Sequence, residues 1–249
     1  MIKFNRAIRN FCLAILLLSS ILILVFFLIQ KNSKEIDHTR IALIDVVGNN
    51  YVFRGNNPFI TKNGEKIFAY DDLTSYFNSI LKQQNRSTLD EYYLIDISLL
   101  DLDEYSEIKK EQQFFIKNPN LGMMMHFSTL SPSLLLMEYP SYSNFVTEAS
   151  IKNYNIWVTN LLEKIHYLAS QKTDKPVVIY IHCDSGRDRT GLVVTGYKML
   201  FNNINLAKAK SQNISEAGRS SRALYDRAIK SYCSYVKEFY NKPDDYCIS

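Results

Sequence analysis

The stretch VVIYIHCDSGRDRTGLVVTGYKML, Val177 to Leu200, decides how the rest of this chain is read. It opens on VVIYI (177–181), a short and wholly apolar run of the kind that forms a strand covered on both faces of a sheet. It closes on TGLVVTGYKML (190–200), which reads as a buried helix. Between them lies HCDSGRDRTG (182–191), with one cysteine, two arginines and two aspartates in ten residues. A surface turn uses glycines and charges, but it has no need of a cysteine six residues before an arginine. In open α/β sheets, ligands bind beyond the carboxyl ends of the strands. A loop that feeds a helix N-terminus turns its backbone N–H groups toward an anion. The stretch therefore predicts a strand, a loop and a helix built around something small and doubly negative.

The residue types in the loop fit that ligand. Gly186 lets the backbone turn and Gly191 lets the following helix pack closely. Cys183 sits at the mouth of the nest. A thiol ionises at a pH of about 8.5 when free, and a helix N-terminus with a nearby cation lowers that by several units. The field that holds a phosphate thus also ionises its attacker. Arg189 carries a planar fork suited to two phosphate oxygens and to the charge that develops during transfer. Thr190 can donate its hydroxyl to the sulfur. His182 reads as a residue that fixes the loop and favours the thiolate, not as a base. Asp184, Ser185, Gly186 and Arg187 complete the phosphate-binding loop. The alternative is a free cysteine at a strand end followed by a charged turn, and it leaves the joint occurrence of these residues unexplained.

Working outward, strand and helix patterns alternate. IALIDVV (41–47) and NYVFRG (50–55) read as strands, with GNNP as a turn. DDLTSYFNSILKQQ (71–84) has Leu73, Tyr76, Phe77, Ile80 and Leu81 on one helical face. EYYLIDISLL (91–100) reads as a strand, EYSEIKKEQQFF (104–115) as a helix, LGMMMHFSTL (121–130) as a strand and 131–149 as a loop. A long helix is predicted over 150–170 from Tyr154, Trp157, Leu161, Ile165 and Leu168. After Val177–Leu200, helices are expected at 206–213 and 220–240. Strands alternating with helices, then helices gathered at the end, argue for an α/β sandwich.

Of the 249 residues, 47% are apolar and the formal net charge is +4, which suits an anionic substrate or a membrane surface. No basic run with interleaved aromatics occurs, so nucleic acid is not an expected partner. Residues 11–29, FCLAILLLSSILILVFFLI, contain no charge and as a helix would span about 30 Å, the bilayer hydrocarbon thickness. They read as a single-pass anchor between an N-terminal flank (1–10) and a polar linker (30–40). A cleaved signal peptide is the second reading, weakened by the lack of a small-x-small site. Positive charges balance on either side of the span, so orientation rests on the short N-terminal flank staying inside. The folded domain is expected over 41–242, with a tail at 243–249. Cys12, Cys183, Cys233 and Cys247 match no zinc spacing. Cys233 and Cys247 read as two free thiols, with a pair as the alternative in an oxidising compartment. No metal or cofactor is expected.

HCDSGRDRTG resembles the signature loop of the cysteine-dependent tyrosine and dual-specificity phosphatase superfamily, His-Cys-x5-Arg-Ser/Thr. NYVFRGNNPF is similar to the yRs-x-x-P segment of compact dual-specificity and bacterial tyrosine phosphatases, and YLIDIS to their IDLR-like segment; together the likeness covers most of 50–240. It implies a central mixed, mostly parallel sheet flanked by helices. It also implies a two-step hydrolysis through a phosphocysteine on Cys183, with Arg189 on the phosphate and a carboxyl group as acid. The pattern departs in one respect: no Asp lies between Asp103 and Asp174, where the family keeps its acid. Asp174 falls at the wrong end of the strand. Asp188, Glu138 and Glu148 are the candidates, and the DRT of Asp188–Thr190 resembles phosphoinositide phosphatases. Arg187 stands where such loops often carry lysine, unless it only pairs with Asp184 or Asp188. The expected substrate is a phosphotyrosine or other phosphoprotein residue; the alternatives are a phosphoinositide headgroup, or a catalytically inactive module that binds phospho-ligands. Arg54 reads as a strand end, Trp157 as core, Asp96 as a buried structural carboxylate, and His126 and His166 have no assigned partner.

Overall fold

The computed structural model describes residues 35–128 and 147–248. The apolar stretch at 11–29, Cys12 and the candidate acid Glu138 lie outside them. Among the described residues no helix is long and apolar enough to cross a membrane.

Five strands form one sheet in the order β1-β2-β7-β5-β6. They are β1 (Ala42–Val47), β2 (Asn50–Asn56), β5 (Tyr93–Ser98), β6 (Gly122–His126) and β7 (Val177–Cys183). Only the β1–β2 pair is antiparallel; β2–β7, β7–β5 and β5–β6 run parallel. The expected mixed, mostly parallel sheet is thus present, with β7 at its centre. Every residue of β7 is buried, as its unbroken apolar run requires.

Successive side chains of a strand point to opposite faces, and the two faces build two cores. Ile179, Ile181 and Cys183 face α3 (Glu148–Ala169), α4 (Asp188–Phe201), α5 (Leu206–Ala217) and α6 (Ala223–Phe239). Val178 and Tyr180 face α1 (Tyr70–Gln83) and the C-terminal part of α2 (Tyr105–Lys117), through Leu73, Phe77, Leu81 and Phe115. Each helix matches a predicted one within a few residues. Thr147 Oγ1 accepts from Ser150 N–H at 3.1 Å to start α3, and Asn205 does the same for α5 from Lys208 at 3.0 Å. Gly218 ends α5 in the left-handed region, at φ +73°.

Three features depart from the sequence reading. The segment after β2 is not only a turn: β3 (Phe59–Lys62) and β4 (Glu65–Phe68) form a second, two-stranded sheet. Asn63 and Gly64 both have positive φ there, as a two-residue hairpin requires. Residues 35–40, expected as linker, pack on the domain: Asn56 Nδ2 donates to Glu35 O at 2.8 Å and Arg40 Nη1 to Ser185 O at 2.9 Å. Cys233 and Cys247, read as free thiols, form a disulfide with Cα atoms 5.8 Å apart. The C-terminal residues 244–247 fold back as a 3-10 turn against α6, which brings the two sulfurs together. The buried Tyr246 holds that turn by donating to Met199 O at 2.6 Å.

Candidate active site

The loop leaves the carboxyl end of β7 at Cys183 and enters α4 at Asp188. Gly186 has φ +65°, and a Cβ there would run into the backbone of Gly55 and Asn56. Gly191 lies against the Asn213 side chain, which a Cβ would meet at 2.9 Å. Both glycines of the motif are therefore required by close approach. Neighbouring segments hold the loop from outside. Asn57 N–H donates to Asp184 O at 3.3 Å, and Arg40 holds Ser185 O. The Arg54 guanidinium, 0% exposed, bonds Gly186 O, Asn213 Oδ1 and Glu216 Oε2. Arg54 is more than a strand end: it ties the loop to α5. Burial lowers its basicity, and the Glu216 charge opposes that.

Cys183 is 1% exposed and is the free cysteine among the described residues. Its sulfur lies within electrostatic reach of Arg189, Arg54 and Tyr225. Arg189 is oriented by carboxylates that the sequence reading did not pick out. Its Nη2 donates to Glu104 Oε1 at 2.8 Å, and its Nη1 to Glu104 Oε2, to Asp101 Oδ2 at 2.9 Å and to Leu99 O at 3.1 Å. Burial works against the Arg189 charge, but the Glu104 hydrogen bonds, the Cys183 sulfur and the two carboxylates outweigh it and hold the guanidinium above its ordinary value. Glu104 is in turn fixed by Asp101 N–H at 2.8 Å, and Asp101 by Ser128 Oγ at 2.8 Å. These residues follow β5, so the strand beside β7 supplies the brace. Thr190 Oγ1 is buried and has no hydrogen-bond partner among the described residues. Tyr225 of α6 is 8% exposed, and burial pushes its phenol up to about 12 against the influence of Arg189.

The remaining predicted residues divide. Asp188 is 7% exposed; Arg219 grips both its oxygens, at 3.2 and 2.7 Å, and Arg222 N–H donates to it at 2.9 Å. Arg187 does not bond Asp188 but donates Nε to Ala217 O at 3.1 Å. Its basicity is lowered by burial and then by the charges of Arg40 and Arg219, against Asp188 and Asp37. Glu148 is exposed at the start of α3, and Asp174 is exposed in the turn before β7. His182 is fully buried and points to the face opposite Cys183, 3.0 Å from Asp96. His126 Nε2 bonds Leu100 O at 2.7 Å and His166 Nδ1 bonds the Tyr197 hydroxyl at 3.0 Å, so both have structural partners. Trp157 is partly buried beside the core, stacked on Tyr154.

The arrangement thus joins a sheltered sulfur, a braced guanidinium, an unpaired hydroxyl and the first N–H groups of α4 in one loop. These are the parts needed to bind an oxyanion and attack it.

No family model matches the chain, and no curated protein matches it in sequence. Solved structures give partial likenesses. PTPMT1 aligns with a TM-score of 0.45 and 13% identity over 82% of this chain and 99% of its own. PTPMT1 in complex with PI(5)P gives 0.40 and 14% over 78% and 96%. P. aeruginosa TpbA gives 0.37 and 12% over 79% and 89%. At these scores the likenesses assign neither family nor activity.

Proposed function

We propose that this chain is a cysteine-dependent phosphomonoesterase. The observation that carries the reading is that Cys183 and Arg189 meet in one loop, between the carboxyl end of the central strand and the N-terminus of a buried helix, with the guanidinium held in place by Glu104. The Cys183 thiolate attacks phosphorus; a P–S bond forms as the ester P–O bond breaks, and the leaving oxygen takes a proton. Water then attacks phosphorus, the P–S bond breaks, and phosphate leaves with the thiolate restored. Arg189 and the loop N–H groups bear the charge of the transferring group. Asp188 is the proposed acid, and to reach the leaving oxygen it has to release Arg219.

The substrate is a phosphotyrosine or another phosphorylated side chain of a protein. A phosphoinositide headgroup is the second reading, favoured by one observation: Arg40 and Arg219 stand near enough to Arg187 that their charges add to burial in lowering its basicity, against Asp188 and Asp37. A second phosphate would relieve that repulsion. We further propose that residues 11–29 anchor the chain in a membrane and that the domain stands on its oxidising side, which the Cys233–Cys247 bond supports. The test is hydrolysis of an aryl phosphate, a phosphotyrosine peptide and phosphoinositide vesicles by the wild-type and Cys183→Ser chains. The Ser variant is expected to lose turnover by about 10^4-fold or more while still binding the phosphorylated ligand. Turnover kept in that variant would exclude the mechanism, and a wild-type chain that binds without hydrolysis would make it a phospho-ligand module.

A further inference from the structure

Behind the catalytic loop, on the opposite face of the sheet, three ionisable side chains from three elements converge. Asp96 on β5, His182 on β7 and Glu111 on α2 are each 0% exposed. His182 Nε2 is 3.0 Å from Asp96 Oδ1 and 3.6 Å from Glu111 Oε1, and one donor atom from each of the three lies within 4.8 Å of the others. Yet none of the four carboxylate oxygens and neither imidazole nitrogen is in a hydrogen bond. Ser98 Oγ, whose residue pairs with His182 across the strands, lies beside the Glu111 carboxylate but out of good hydrogen-bond alignment with it. Buried polar atoms are nearly always partnered, so a cluster of unpartnered ones at a single spot needs a physical cause.

Geometry and charge give the same cause. His182 Nε2 and Asp96 Oδ1 are in ion-pair contact at 3.0 Å, yet they are out of hydrogen-bond alignment with each other. Donor atoms at the corners of a tetrahedral metal site with bonds of 2.0–2.1 Å stand about 3.3 Å apart, and the two separations here fall on either side of that value. Two carboxylates sealed from water beside a neutral imidazole would leave two uncompensated negative charges, at a cost of several kcal/mol each. Among the described residues no Lys or Arg pairs with either carboxylate. A divalent cation cancels both charges at once.

We propose that Asp96, Glu111 and His182 bind one divalent transition-metal ion, with Ser98 Oγ as the neighbouring fourth donor. A closed site of one nitrogen and several oxygens suits Zn2+, whereas Ca2+ or Mg2+ asks for six or more oxygens. The ion ties β5, β7 and α2 together and fixes His182, the residue before the nucleophile. It lies across the sheet from Cys183 and takes no part in the hydrolysis. Its ligands are far apart in the sequence and none is a cysteine, which is why no ligand spacing announces it.

The test uses the full chain, purified in detergent after growth with added zinc and passed over a chelating resin, with metal content measured by mass spectrometry. Expected is about one zinc per chain in both the wild type and Cys183→Ser, falling about five-fold or more in Glu111→Gln and Asp96→Asn. X-ray absorption at the zinc edge of the wild type is expected to show nitrogen and oxygen donors and no sulfur. This measurement decides the matter even if the variants fail to fold. A wild-type chain free of metal overturns the proposal, as does sulfur in the zinc shell or loss of the ion in Cys183→Ser. None of these readouts depends on phosphatase activity.

Discussion

Arg189 shows how a single side chain becomes a tool. An arginine loses rotamer freedom when it grips a ligand, and here that loss is met during folding, because Glu104 already holds the guanidinium by two bonds. Asp188 is the residue whose role is most open to experiment. As the proposed acid it would protonate the leaving oxygen, a step that matters for poor leaving groups and little for good ones. Asp188→Asn is therefore expected to slow phenyl phosphate turnover by about 10^2-fold and nitrophenyl phosphate far less. If instead its work is to anchor Arg219, both substrates will slow alike. A series of aryl phosphates of graded leaving-group acidity checks this.

At the scale of elements, the loop is held by its neighbours as much as by its own turn. Arg54 on β2 reaches from Gly186 O to Asn213 and Glu216 on α5. Arg54→Ala would leave the partly buried Glu216 carboxylate with one cation partner fewer and free the loop carbonyl, for an expected loss of about 3 kcal/mol in urea unfolding. Arg54→Lys keeps the charge but not the fork, so it should recover only part of this. On α6, Asp226 pairs with Lys210 of α5 at 2.5 Å and with Lys230 at 3.3 Å. Burial raises its pKa, but the Lys210 and Lys230 contacts outweigh it and bring the carboxyl below its ordinary 3.8. The unfolded chain thus binds this proton more readily, so the stabilisation is present above about pH 4 and is lost as pH falls through the lowered value. The side chain is 28% exposed, so Asp226→Asn is expected to cost under about 1 kcal/mol at pH 7 and nothing near pH 2. Stability curves of the two chains against pH check the sign.

For the whole molecule, the disulfide closes the C-terminal segment onto α6 with a sequence separation of 14. Cross-linking a loop of that size is worth about 3 kcal/mol. Reduction, or Cys233→Ser with Cys247→Ser, is expected to lower the unfolding midpoint while leaving the loop around Cys183 chemically intact. Calorimetry with and without reductant checks this.

Much of this protein could be read from local pattern alone. The sheet with Val177–Cys183 at its centre, the six helices of the described residues and the placing of Cys183 and Arg189 on one loop follow from hydrophobic period and from spacing within one loop, because both are short-range properties of a chain. The β3–β4 hairpin was also written locally, in Asn63-Gly64, but the following charges masked its alternation. What the sequence could not announce are contacts between distant segments. Glu104 on Arg189, Arg54 on Gly186, Arg219 on Asp188, the Cys233–Cys247 bond and the meeting of Asp96, Glu111 and His182 each join elements that only tertiary packing brings together. Whether a charge on a helix or strand is solvated or buried against a partner depends on which face the sheet covers, and that was decided when the strands took their order.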